Sequence, residues 1–186
     1  MKRIFILVLS LLFLTGCSQE NHEMNRAIGL RERLLTSGGF TADVQINVDY
    51  KDKLYSFLMA CQGDNLGSIA FTVQKPDSIS GIAGKLSADG GALTFDDQIL
   101  AFPLLPDSRI SPVSAPWLLV HSLRSGYISA CGKDNDGLRI QIDDTYMGKK
   151  LQVDVWTSAQ DLPIHAEIFY DGRRAVSIAV NNFCFV

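Results

Sequence analysis

Between positions 40 and 50 the chain alternates without a break: Phe40, Ala42, Val44, Ile46, Val48 and Tyr50 are apolar, and Thr41, Asp43, Gln45, Asn47 and Asp49 are polar. A period of two sends successive side chains to opposite faces of an extended strand, so one face is oily and the other wet. That is the pattern of an antiparallel sheet covered on one side. Shorter stretches repeat it. After a polar turn at Lys51-Asp52-Lys53, Tyr55, Phe57, Met59 and Cys61 share a face; after Gly63-Asp64-Asn65, Ile69, Phe71 and Val73 do the same until Pro76 stops the strand. Further strands are predicted at 79–86 and 92–95 around Asp89-Gly90-Gly91, then at 127–131, 138–142, 151–156, 164–170 and 175–180. The last two are joined by Asp171-Gly172, a type I′ hairpin signal. Consecutive hairpins make a meander of about ten strands.

Two stretches leave the period of two. From 24 to 35 the apolar residues Met24, Ala27, Ile28, Leu34 and Leu35 fall at three- and four-residue spacings among Arg26, Arg31, Glu32 and Arg33, which predicts an amphipathic helix closed by Ser37-Gly38-Gly39. Pro103, Pro106 and Pro112 keep the middle of the chain out of any central strand, because proline has no N–H for the ladder. Ser114 then caps a second helix through Trp117, Leu118, Leu119, Val120 and Leu123, ended by Gly126. Its apolar side must bury against the sheet or cover an opening in it.

The N-terminus follows a different logic. Lys2 and Arg3 precede eleven residues, 4–14, broken only by Ser10. That suits a signal-peptide core and is too short for a membrane span, which needs roughly 20 apolar residues. The run ends in Leu14-Thr15-Gly16-Cys17, a bacterial lipobox: small residues expose the backbone to a peptidase, and the Cys17 thiol then carries a diacylglycerol. Each buried CH₂ contributes about 0.8 kcal/mol, so two or three acyl chains hold a protein firmly at a membrane, here the cell membrane or an outer membrane. The expected organisation is a signal peptide at 1–16, the lipidated cysteine with a polar tether at 17–23, and one domain at 24–186. The chain carries a net charge of −3, and −5 once Lys2 and Arg3 are removed. An acidic body argues against nucleic acid and against broad electrostatic docking on anionic lipid.

Candidate chemistry is sparse. Beyond Cys17, the widely spaced Cys61, Cys131 and Cys184 form no CxxC motif, leaving either one disulfide with a free thiol or three thiols acting as small hydrophobes. His22 falls in the tether. His121 reads as a surface or boundary residue of the second helix, and His165 shares the wet face of a strand with Glu167. Neither stands in a nucleophile-elbow or HExxH context. Asp134-Asn135-Asp136-Gly137 lacks the outer ligands of a calcium loop and reads as a hairpin turn, and Gly81-Ile82-Ala83-Gly84-Lys85 lacks P-loop spacing. The sequence implies no enzyme, no metal and no cofactor.

The order of elements resembles the lipoprotein-carrier superfamily that includes LolA and LolB. The resemblance lies in a helix running into Gly38-Gly39-Phe40-Thr41-Ala42-Asp43-Val44, the proline at a strand end (Pro76), the Asp89-Gly90-Gly91 turn before Phe95, and the Pro-rich loop with a short helix at 111–123. It continues to Leu162-Pro163 and to the late Asp171-Gly172 hairpin ending in Asn181-Asn182-Phe183. It implies a mainly β (α+β) fold: a curved antiparallel sheet forming an incomplete β-barrel, covered by the N-terminal helix and the short mid-chain helix. It also implies an apolar cavity similar to those that hold an acyl chain of a lipid or lipoprotein. Phe57, Met59, Phe71, Phe95 and Trp117 are the candidate lining residues, with ordinary core packing as their alternative role. GerS-like germination lipoproteins resemble the same superfamily and serve as non-enzymatic partners of a cell-wall amidase. Two expectations follow: an acyl-chain binder needs an open apolar pocket, whereas a partner of an envelope or spore-cortex enzyme needs a filled interior and an exposed apolar patch or sheet edge.

Overall fold

The alternation at 40–50 becomes the strand β1 (Gly39–Tyr50), which sits at the centre of one open antiparallel sheet. The computed structural model describes residues 18–50, 53–95, 98–105, 110–146 and 148–186; the lipobox Leu14-Thr15-Gly16-Cys17 and turn residues Lys51 and Asp52 lie outside them. The other strands are β2 (Lys53–Asp64), β3 (Ile69–Lys75), β4 (Ala83–Ser87), β5 (Gly90–Phe95), β6 (Gln98–Phe102), β7 (Tyr127–Asp134), β8 (Gly137–Tyr146), β9 (Lys149–Thr157), β10 (Pro163–Tyr170) and β11 (Arg173–Phe185). They lie in the order β6-β5-β4-β3-β2-β1-β11-β10-β9-β8-β7. Two meanders, β1–β6 and β7–β11, are thus stitched together where β1 pairs with β11.

Eleven strands form among the described residues, where the pattern predicted about ten. The addition is β6: Gln98-Ile99-Leu100-Ala101-Phe102 does not alternate and runs into Pro103, yet as the last strand it needs a ladder on one side only. The strand expected over 79–86 is confined to β4, because Asp77–Ile79 forms a 3₁₀ turn. The Asp171-Gly172 turn holds φ of 51° and 71°, as a type I′ turn requires.

Helix α1 (Ser18–Thr36) begins six residues before its apolar pattern, so residues 18–23, expected as a tether, are helical. Its buried stripe is Ala27, Leu30 and Leu34, spaced three and four residues apart; Ile28 and Leu35 face outward. Helix α2 (Ala115–Ser125) crosses between the meanders and buries Ala115 to Val120, Ser122 and Leu123. Ser114 stands at its N-cap position but does not cap it: a 3₁₀ turn (Pro112–Ser114) feeds straight into the helix, Ser114 has helical φ and ψ, and its buried hydroxyl has no partner. Gly126 ends the helix by close approach, not by a left-handed turn. A Cβ there would lie 2.4 Å from Ile142 Cγ2 and 2.8 Å from the Ser122 carbonyl.

The core lies between these helices and the inward face of the sheet, with Ile46, Met59, Ile69, Leu86, Ile140, Val153, Ile168 and Ile178 buried. In the first meander, three inward glycines each face a phenylalanine on the neighbouring strand: Phe40 opposite Gly63, Phe71 opposite Gly84, and Phe102 opposite Gly91. A Cβ on any of the three glycines would come within 2.6 Å of the ring, so each ring occupies the space its partner leaves. The far ends of the meanders meet. Tyr146, the last residue of β8, donates its hydroxyl to the Ala88 carbonyl at 2.8 Å in the β4–β5 turn, and Trp117 Nε1 donates to the Gly67 carbonyl at 2.9 Å.

Candidate binding surfaces

Of the candidate lining residues, Phe71 borders one groove and Trp117 another, and none lines the apolar seam under α2. Met59, Phe71 and Trp117 are buried in the core and Phe57 packs half-buried against it. Phe95 is 60% exposed at the end of β5. The apolar seam under α2 is lined instead by other residues, among them Leu34, Val44, Cys61, Leu119, Leu123 and Val180, and leaves about 20 Å³ free. That is room for about one water molecule.

Two arginines hold α2 in place. Arg31 of α1 donates to the carbonyls of Leu123 at 2.7 Å and Gly126 at 2.6 Å, satisfying groups at the C-terminal end of α2. Burial pushes its pKa below the usual value, opposed by the Asp144 charge. Arg124 of α2 donates to the Leu34 carbonyl at 2.7 Å and the Asn65 carbonyl at 2.9 Å. In the sequence Arg31 is one of several charged residues of the first helix and Arg124 carries no mark; the spacing of neither shows these long-range acceptors.

The polar groups near α2 do not assemble a nucleophile. His121 stacks on Trp117 at 4.6 Å, with Nε2 3.9 Å from Asp144 and 3.5 Å from Ser125 Oγ. Both contacts fall on the same ring nitrogen, so the ring does not relay between them, and Ser125 donates to the His121 carbonyl at 2.9 Å. Ser122 donates to Asp144 at 2.6 Å. On the outward face the His165 ring lies tilted against Trp156, with centroids 5.0 Å apart, and Glu167 accepts from Arg174 at 2.7 Å. Asp134-Asn135-Asp136-Gly137 is the β7–β8 hairpin turn, and no group of three or more metal-ligating side chains gathers among the described residues. Cys61, Cys131 and Cys184 are unpaired; Cys184 is exposed, so the three do not form a buried set. Burial raises the Cys61 thiol to about 12 and that of Cys131 to about 11.

The apolar surface lies elsewhere. At the β5–β6 end of the sheet Phe95 of β5 and Ile99 and Leu100 of β6 are 60%, 75% and 65% exposed, and β6 bears no charge. An even, uncharged, apolar edge is a template for strand addition.

Residues 1–18 match the prokaryotic membrane lipoprotein lipid attachment site. The protein is a lipid-anchored bacterial membrane lipoprotein. No curated protein matches the chain by sequence. Solved structures are similar over most of its length. A DUF1329 family protein from Desulfovibrio piger shares 9% identity at a TM-score of 0.51, over 90% of this chain and 93% of its own. A domain named as a putative outer membrane lipoprotein-sorting protein, from Vibrio parahaemolyticus, shares 11% identity at 0.50, over 89% and 93%. An uncharacterized conserved protein from Thermus thermophilus shares 11% at 0.50, over 88% and 87%. These structures share the architecture of this chain. At these identities the likeness is one of architecture, and function must be argued from the surfaces.

Proposed function

We propose that the protein is a non-catalytic interaction module, tethered to the membrane through a lipid on Cys17, that docks a protein of the cell envelope on the β6 edge. The observation that carries this reading is the pairing of a filled interior, with about 20 Å³ free under α2, and an exposed apolar edge strand. An extended segment laid antiparallel to β6 would take up its free backbone donors and acceptors and cover Ile99 and Leu100. An envelope enzyme, such as a cell-wall or spore-cortex amidase, is the partner class suggested by the GerS-like branch of the superfamily.

The second reading is acyl-chain binding in the seam under α2. The apolar character of its lining supports it, since Leu34, Val44, Leu119, Leu123 and Val180 offer no polar group to a chain. It requires α2 to lift and the Arg31 and Arg124 contacts to open.

A photo-crosslinking residue at Leu100 of the full-length lipoprotein, activated in intact membranes, separates the readings. The docking reading expects one discrete protein adduct that disappears when Ile99→Lys is added. No adduct at Leu100, together with lipid co-purifying with the protein in native mass spectrometry, overturns docking in favour of the acyl-chain reading.

A further inference from the structure

On the outward face a furrow of about 950 Å³ crosses the ends of β7 to β10. Its axis is one row of the sheet: Tyr127 lies opposite Asp143, Asp143 opposite Gln152, and Gln152 opposite Phe169. All four point outward, because their strand neighbours Ile142, Val153 and Ile168 are buried inward. Thr145 and Lys150, paired on β8 and β9, form the next row of the floor.

The two aromatics are out of place for packing. Elsewhere the outward face carries residues such as Asp43, Gln45, Asn47 and Ser177, yet Tyr127 is 73% exposed and Phe169 only half-buried. Trp156 also faces outward, but Arg139 lies over its ring at 5.1 Å and the His165 ring packs tilted against it at 5.0 Å. Among the described residues no ring or cation stacks on Tyr127 or Phe169. Three inter-strand steps separate them, about 14 Å at the usual strand spacing. That span suits a chain of several rings better than one small molecule.

The floor between them offers hydrogen bonds without a demand for charge. Gln152 donates its amide to Asp154 at 3.0 Å, which leaves its carbonyl oxygen as an acceptor. The Thr145 hydroxyl both donates and accepts, Lys150 donates, and Asp143 accepts. Asp143, Asp144 and Asp171 outnumber Lys150 along the lining, so phosphate-bearing lipids and nucleic acids meet net repulsion. An uncharged, hydroxyl-rich chain does not.

We propose that this furrow binds a carbohydrate chain, with Tyr127 and Phe169 as stacking platforms for sugar rings and the polar row between them bonding to hydroxyls. The face of a sugar ring is apolar and its rim polar, which matches an aromatic platform beside hydrogen-bonding groups. The lipid anchor places the furrow in the bacterial envelope, where the chain would be a structural glycan. This inference is independent of docking at β6.

The test uses the full-length lipoprotein in detergent micelles, titrated calorimetrically with tetra-N-acetylchitotetraose and sedimented with purified murein sacculi. Saturable binding to at least one probe is expected, weakened about tenfold by Tyr127→Ala and by a similar factor by Phe169→Leu, which keeps apolar bulk but removes the ring. Leu66→Ser, at an 86% exposed position in the β2–β3 turn, should leave it unchanged. Absence of binding to both probes, or binding that Tyr127→Ala does not weaken, overturns the proposal; because Tyr127 is so exposed, its variant keeps the fold, checked by circular dichroism.

Discussion

The two ends of the sheet are treated differently. At one end β7 has α1 packed near it, with the Cys131 thiol donating to the Glu23 carbonyl at 3.4 Å; its register slips between Ile128 and Ala130, and it ends in Lys133 and Asp134. At the other end β6 pairs with β5 in unbroken register and carries no charge. Charges, bulges and covering elements are what keep edge strands from pairing with other chains. One edge is closed and the other open, which is why docking is assigned to β6.

The largest test of this contrast compares two leucine truncations. Leu118→Ala, in the buried face of α2, should cost about 2–5 kcal/mol, whereas Leu100→Ala on the open edge should stay within about 0.5 kcal/mol. Urea denaturation of the two variants reads the difference directly, and equal losses would show that β6 is structurally committed.

The clamp on α2 comes next. Arg31→Met removes two charge-assisted hydrogen bonds to the end of α2 and should destabilise by about 1.5–3 kcal/mol. Hydrogen exchange should quicken at the amides of α2 and stay unchanged in β5 and β6; faster exchange throughout would mean that α2 does not open as a unit.

Within the first meander, Gly84→Ala would place a Cβ 2.6 Å from the Phe71 ring and 2.5 Å from the Ala92 carbonyl. The expected loss is about 1–3 kcal/mol, as in other overpacked cores, and a thermal melt no lower than wild type would refute the view that these glycines seat the rings.

The smallest effect is in pH. The Cys61 thiol, raised by burial to about 12 from an ordinary 9.0, stays protonated in the folded protein while the unfolded chain ionises. The unfolded state then holds fewer protons, so stability falls as pH rises from about 9 towards 12. Cys131, at about 11, adds to this over a narrower window. Cys61→Val should flatten part of the slope above pH 9 and leave stability near neutrality almost unaltered; an identical slope would place Cys61 in contact with water.

The ease of reading varied along the chain for physical reasons. β1 was visible because eleven alternating residues admit one structure, and the late hairpin because Asp-Gly fits a turn with two positive φ values. In α1 Leu30 is buried while Ile28 and Leu35 are exposed, although spacing alone favours the latter pair, because the rotation of a helix about its axis is set by what it packs against. Phe95 ends β5 with its ring 60% exposed, and no local pattern in the sequence tells such a position from a covered one. β6 was hidden by its lack of alternation. Its edge position, which makes Pro103 tolerable, is a fact of sheet order and not of local pattern.

Local features are legible in the chain alone: the lipobox that anchors it, the alternation that makes strands, the turns that fold them into hairpins, and the two helices that interrupt them. Each follows from interactions among residues a few positions apart. Tertiary packing sets the rest: β1 pairs with β11, Arg31 and Arg124 hold α2 down, the seam beneath it has space for about one water, and among the described residues no strand pairs beyond β6. Those outcomes depend on contacts between residues up to some 140 positions apart, whose partners are chosen by how the two meanders close on one another.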